Sequence, residues 1–168
     1  TNIVASTGTK IGKSTVINYL GYASEAYLIL PVTNIADSLE DKVSNPKYYF
    51  IDNGIISLLA LDIRTSLLEN MVALKLISSY GSKDAVYFYN HGVEVDFYIP
   101  QTETAIQVCY AMNDAEGTFE RETRALLKLR SRLSCRHNII VTYDDEGIIE
   151  TEGVRIEVIP AWKFLLQP

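Results

Sequence analysis

Val86-Tyr-Phe-Tyr-Asn90 and Val93-Glu-Val-Asp-Phe-Tyr-Ile99 stand either side of His91-Gly92, two runs of strand-forming residues with a short interval between them. That spacing predicts a hairpin, because a two-residue turn can link antiparallel strands directly. Thr104 to Ala111 supplies a third strand, so the centre of the chain reads as a β-meander. Upstream, from Thr65, the rhythm is helical: Leu68, Met71, Val72 and Leu76 form one apolar stripe that Gly81 terminates. Downstream, a helix from Thr118 to Leu133 should bury Phe119, Leu126, Leu129 and Leu133, and the apolar run Asn138 to Tyr143 reads as a strand covered on both faces. Asp144-Asp-Glu-Gly147 and Thr151-Glu-Gly153 are turn signals around two short strands, and Ala161 to Leu166 reads as a last helical turn. The order α, β, β, β, α, β predicts an α/β fold whose central sheet runs from Val86 onward.

Toward the N-terminus, Val16, Leu20, Ala23 and Tyr27 place a helix between Lys13 and Leu30, with Ser14 or Thr15 suited to cap its start. A strand from Leu28 to Val32, a polar loop from Thr33 to Pro46 and a strand from Tyr48 to Ile51 then give half of a winged helix. With residues 1–8 as its supporting helix, the second helix would present Lys10, Lys13 and Asn18 to nucleic acid. The bland rival is a packing surface for a neighbouring domain. Gly8-Thr-Lys-Ile-Gly12-Lys13-Ser14 is one residue too short between its glycines for a phosphate-binding loop and reads as a turn with a helix start.

The chain of 168 residues is 48% hydrophobic and 21% charged, enough to bury roughly 70% of the unfolded surface in one domain, or one and part of another. Fifteen Lys and Arg against 21 Asp and Glu leave a formal charge of -6. This excludes phosphate-backbone binding over the whole surface and leaves only a local basic face. Cys109 and Cys135 form no disulfide framework and fit a reducing cytosol. No apolar run reaches the roughly 18 to 20 residues a membrane helix needs, so the expected location is cytoplasmic, without a membrane partner. The first residue is Thr1, which suggests a piece of a longer protein.

Two features carry chemistry. Glu69 lies among Val72, Ala73 and Leu76 at helical spacing, which turns a carboxylate toward the apolar side, where it needs a partner. Asp96 falls on the second hairpin strand, on the face opposite Val95 and Phe97, and the neighbouring strand carries Gln107-Val-Cys109, so three polar groups are expected to converge. Separately, Arg121, Arg124, Lys128 and Arg132 recur at helical intervals as a basic ridge along which a phosphate backbone could lie. The plain alternative is a solvated face with Glu120 paired to Arg124. Cys109, Cys135, His91 and His137 lack the short paired spacings of a zinc site.

A helix glutamate, a strand aspartate and a polar pair on the next strand resemble the PD-(D/E)XK restriction-endonuclease-like pattern. More closely, Tyr49-Phe-Ile-Asp-Asn-Gly54, Leu68-Glu-Asn-Met-Val-Ala-Leu74, Glu94-Val-Asp-Phe97 and Ile106-Gln-Val-Cys-Tyr110 are similar to the C-terminal domain (domain of unknown function 4143) found behind P-loop AAA+ ATPase modules. The resemblance implies a partial winged helix-turn-helix over residues 1–50 and a restriction-endonuclease-like domain over 51–168. It also implies an ATPase domain of the same protein as partner, with ATP bound only in that upstream part. Glu69 and Asp96 then match positions that hold magnesium or manganese beside a scissile phosphate.

Gln107 and Cys109 stand where an active nuclease has a carboxylate and a lysine, so a catalytic set of Glu69, Asp96, Gln107 and Cys109 would be degenerate. The expected function is a noncatalytic binding or regulatory module, associated with DNA or a protein partner. The rivals are a metal-dependent nuclease with an altered site and a protein-protein interaction module.

Overall fold

The computed structural model describes residues 12–38, 45–59, 64–112 and 117–167. The chain begins with α1 (Lys13–Glu25), β1 (Ile29–Asn34), β2 (Lys47–Phe50), α2 (Asn53–Leu59) and α3 (Arg64–Tyr80). A 3-10 turn (Lys83–Ala85) leads to β3 (Tyr87–Asn90), β4 (Glu94–Ile99), β5 (Thr104–Val108) and α4 (Thr118–Leu129). β6 (His137–Thr142), β7 (Gly147–Thr151), β8 (Val154–Pro160) and α5 (Ala161–Leu166) complete it. The strands form one eight-stranded mixed sheet in the order β2-β1-β3-β4-β5-β6-β8-β7. Strands β5, β6 and β8 run parallel, whereas β3, β4 and β5 form the antiparallel meander.

Helices cover both faces, as the apolar β6 run requires. Leu68, Val72 and Leu76 of α3 and Phe164 of α5 pack on Phe97, Ile99, Ile106 and Val141. On the other face, Ala125, Leu126 and Leu129 of α4 pack on Tyr98, Ala105, Ile140 and Ile156. Gly81, at φ +66, ends α3, and Gly92, at φ +74, lets the β3-β4 turn close, conformations that a side chain would disfavour.

The structure corrects several boundaries. The sheet does not begin at Val86: β1 and β2, expected in the winged-helix part, form its edge, with Thr33 and Asn34 of β1 parallel to Tyr87 and Phe88 of β3. Buried Val32 and Tyr49 join the α3-side core. Asn34 also clasps β3, its Nδ2 donating to the Asn90 carbonyl at 3.0 Å and its Oδ1 accepting the Asn90 N–H at 3.0 Å. The supporting helix expected at residues 1–8 lies outside the described residues, as does Lys10.

Helix α1 ends at Glu25 instead of Leu30, because Tyr27 turns to φ 57 and the Leu28 N–H returns to the Ala23 carbonyl, releasing the next residues to β1. Its N-cap is Gly12, with no side-chain hydrogen bond from Ser14 or Thr15 at that end. Helix α4 stops at Leu129, leaving Leu133 beyond its end. Met71 and Phe119, expected in the core, are 36% and 39% exposed. Periodicity fixes the apolar side of a helix but not how much of that side the sheet reaches. Among the described residues no helix is long and apolar enough to cross a membrane.

Candidate functional site

Glu69 and Asp96 meet across the α3-sheet interface, joined through a residue that the sequence reading did not select. The Lys47 Nζ, from edge strand β2, lies 3.4 Å from Glu69 Oε1, 3.4 Å from Asp96 Oδ1 and 2.7 Å from Glu94 Oε1. The Tyr49 hydroxyl donates to Glu69 Oε1 at 2.7 Å, so the partner that an inward-facing carboxylate requires is a lysine and a phenol. A signal for Lys47 existed only in the strand alternation of Lys47-Tyr-Tyr-Phe50, which puts Lys47 and Tyr49 on one face.

A bulge aims Asp96. Tyr87 pairs with Tyr98 while Tyr89 pairs with Val95, so β4 has one extra residue opposite β3. As a result Val95 packs on the α4 side and Phe97 on the α3 side, not together as strict alternation implies. Gln107 supports this distortion: its Oε1 accepts the Asp96 N–H at 2.8 Å and its Nε2 donates to the Glu94 carbonyl at 3.2 Å. The same Nε2 donates to Glu122 Oε2 at 2.7 Å, and the Val108 N–H donates to Asp96 Oδ2 at 2.9 Å. A neutral amide suits position 107 because that place needs a donor and an acceptor at once. Cys109 is buried in the α4-side core with its sulfur 3.5 Å from that of Met112, away from the acidic group.

Burial, with Glu69 next, pushes the Asp96 carboxyl up to about 7, against the opposing pull of Lys47. For Lys47, burial favours the neutral amine, but Asp96, Glu69 and Glu94 outweigh it and hold the ammonium above the ordinary lysine value. An acid whose folded pKa is raised binds more protons folded than unfolded, so its contribution to stability falls as pH rises from its ordinary 3.8 to about 7. Asp96→Asn is therefore expected to flatten the pH dependence of unfolding between about pH 4 and 7 and to leave the variant more stable than wild type above pH 7. Urea midpoints across that range check it, and an unchanged slope would refute it.

The acids open onto a cleft of about 540 Å³ lined by Glu69, Glu94, Asp96 and Gln107 on one wall and by Arg121, Arg124 and Lys128 of α4 on the other. Arg121 is bound to Glu122 at 2.8 Å. Arg124 and Lys128 form no ion pair among the described residues, and the expected Glu120 pairing to Arg124 is absent there. The other expected residues lie elsewhere: Arg132 follows the end of α4, and exposed Lys13 and Asn18 sit on α1, none of them lining this cleft.

Among the described residues no three His, Cys, Asp or Glu side chains are arranged to hold a metal ion. Glu69, Glu94 and Asp96 instead surround an ammonium, a cation that uses the oxygens a divalent ion would need. The arrangement as it stands fits Lys47 and not a metal.

No protein-family model matches the chain, and no solved structure matches it. An uncharacterized protein of Methanocaldococcus jannaschii is 34% identical over 175 aligned positions, which take in 98% of this chain. The chain spans 39% of the length of that relative.

Proposed function

We propose that this chain is a noncatalytic, nucleic-acid-associated binding module at the C-terminal end of a P-loop AAA+ ATPase, built on a degenerate restriction-endonuclease-like site. The observation that carries the reading is the Lys47 ammonium among Glu69, Glu94 and Asp96, in a cleft whose opposite wall offers Arg124 and Lys128 without acidic partners. An internal cation balances the acids at no cost in bound metal, and the ridge supplies the charge that attracts a phosphate backbone. The resemblance of the site motifs suggests the ATPase parent, and the greater length of the archaeal relative is consistent with a module of a larger protein.

Anisotropy titrations with fluorescent duplex DNA test the binding. Arg124→Glu with Lys128→Glu should lower the affinity at least tenfold at low salt and reduce the salt slope by about two, since two phosphate contacts are lost. Binding unaffected by this reversal would defeat the ridge.

The convergence of Glu69 and Asp96 on one lysine favours a second reading, a magnesium- or manganese-dependent nuclease in which Lys47 takes the place of the lysine missing at Cys109. Heat on titration with either metal, together with cutting of supercoiled DNA that Asp96→Asn abolishes, would establish that reading over the first.

A further inference from the structure

We infer that the chain carries a second recognition site, a stacking platform for an unpaired nucleobase at the carboxyl ends of the three parallel strands. The inference rests on the nucleic-acid reading above and extends it to single strands. Tyr110 and Tyr143 follow the ends of β5 and β6, and Trp162 follows the end of β8. In open α/β sheets this end of the strands is where connecting loops leave room for ligands.

The Tyr110 and Tyr143 rings stack at 4.9 Å with an angle of 14° between their planes, and the Arg64 guanidinium lies 5.2 Å from the Tyr110 centroid. Tyr110 thus has both an aromatic and a cationic neighbour. Tyr143 is 57% exposed although Tyr110 covers part of it, and Trp162 is 56% exposed. Together with Met71 and Leu165 these side chains line a cavity of about 620 Å³.

Large aromatic side chains so exposed are unfavourable in water unless something planar and apolar covers them. Two observations favour a base over an aliphatic partner. Asp144, on the rim, has no hydrogen bond or ion pair among the described residues; an exocyclic amino group would satisfy it, and an aliphatic surface would bury it unpaired. The platform also adjoins the proposed phosphate path. Arg64 lines the platform and its neighbour Thr65 the acidic cleft, and Val108, which binds Asp96, is two residues before Tyr110. A strand whose phosphates follow α4 can therefore turn a base onto Tyr143 and Trp162.

Trp162 is the single tryptophan of the chain and reports directly on the platform. Titration with a short oligodeoxycytidylate should quench its fluorescence saturably. Tyr143→Ala should weaken that binding about tenfold, the scale of one lost base stack, while leaving duplex affinity unchanged. Oligodeoxythymidylate, which offers Asp144 a carbonyl in place of an amino group, should bind more weakly, and Asp144→Ala should narrow the difference. Both exposed positions tolerate truncation without a folding penalty.

Absence of quenching, or quenching indifferent to Tyr143→Ala, overturns the platform. If duplex binding still depends on Arg124 and Lys128 in that event, the ridge stands without it. Quenching that responds to Tyr143→Ala, with duplex binding indifferent to ridge reversal, keeps the platform and removes the ridge.

Discussion

Lys47→Met should destabilise the fold by about 3 kcal/mol at pH 8, the scale for removing one partner from a largely buried charge cluster. Methionine keeps much of the stem that packs beside the Phe88 ring, 5.4 Å from the Lys47 nitrogen, so most of the loss comes from the charge. Glu69, Glu94 and Asp96 then face one another with no cation between them. Protonation relieves that repulsion, so the loss should shrink toward pH 5, and the fall in stability already caused by Asp96 should extend above pH 7. The lysine stays charged throughout this range, because its folded pKa is raised and its stabilising contribution is lost only in strongly alkaline solution. Urea unfolding at both pH values measures the effect. Equal stability of variant and wild type at pH 8 would mean that the carboxylates rearrange freely, and the internal-cation account would fail.

Asn70→Ala should cost a similar amount, about 3 kcal/mol, through a different cause. Asn70 is 2% exposed and holds β2 against α3: its Oδ1 accepts the Phe50 N–H at 2.7 Å and its Nδ2 donates to the Phe50 carbonyl at 2.8 Å. The same Nδ2 donates to Asn53 Oδ1 at 2.8 Å. Alanine leaves these buried partners unsatisfied, which costs more than the hydrogen bonds contribute when made. Because β2 also carries Lys47 and Tyr49, loosening it should disturb the Glu69 site as well. Amide exchange read by mass spectrometry should show faster exchange over Lys47–Phe50 than over β5. Unchanged protection of β2 would mean that the strand is held by its pairing with β1 alone.

Much of the fold was legible because local rules decide it. The meander follows from the period-two runs around His91-Gly92, and the α3 stripe of Leu68, Val72 and Leu76 is buried as its spacing requires. Gly81 ends α3 with a left-handed backbone that few other residues adopt readily. The β1-β3 pairing was not legible, because two short strands separated by more than fifty positions leave no local trace of their register. The bulge at Asp96 was hidden for a related reason. It depends on the Gln107 side chain of another strand, which holds the backbone groups that regular pairing would have used.

The sequence by itself determined which segments become helix and strand, which helix faces are apolar, and that a carboxylate at Glu69 would need company, since these follow from spacing and from the cost of burying charge. Only the tertiary structure decided that the company is Lys47, that Gln107 clasps a bulge, and that the α4 ridge stands across the cleft from the acids. A side chain's partner is set by where distant segments pack, and that arrangement is fixed by the summed burial of the whole core, not by any neighbouring residue.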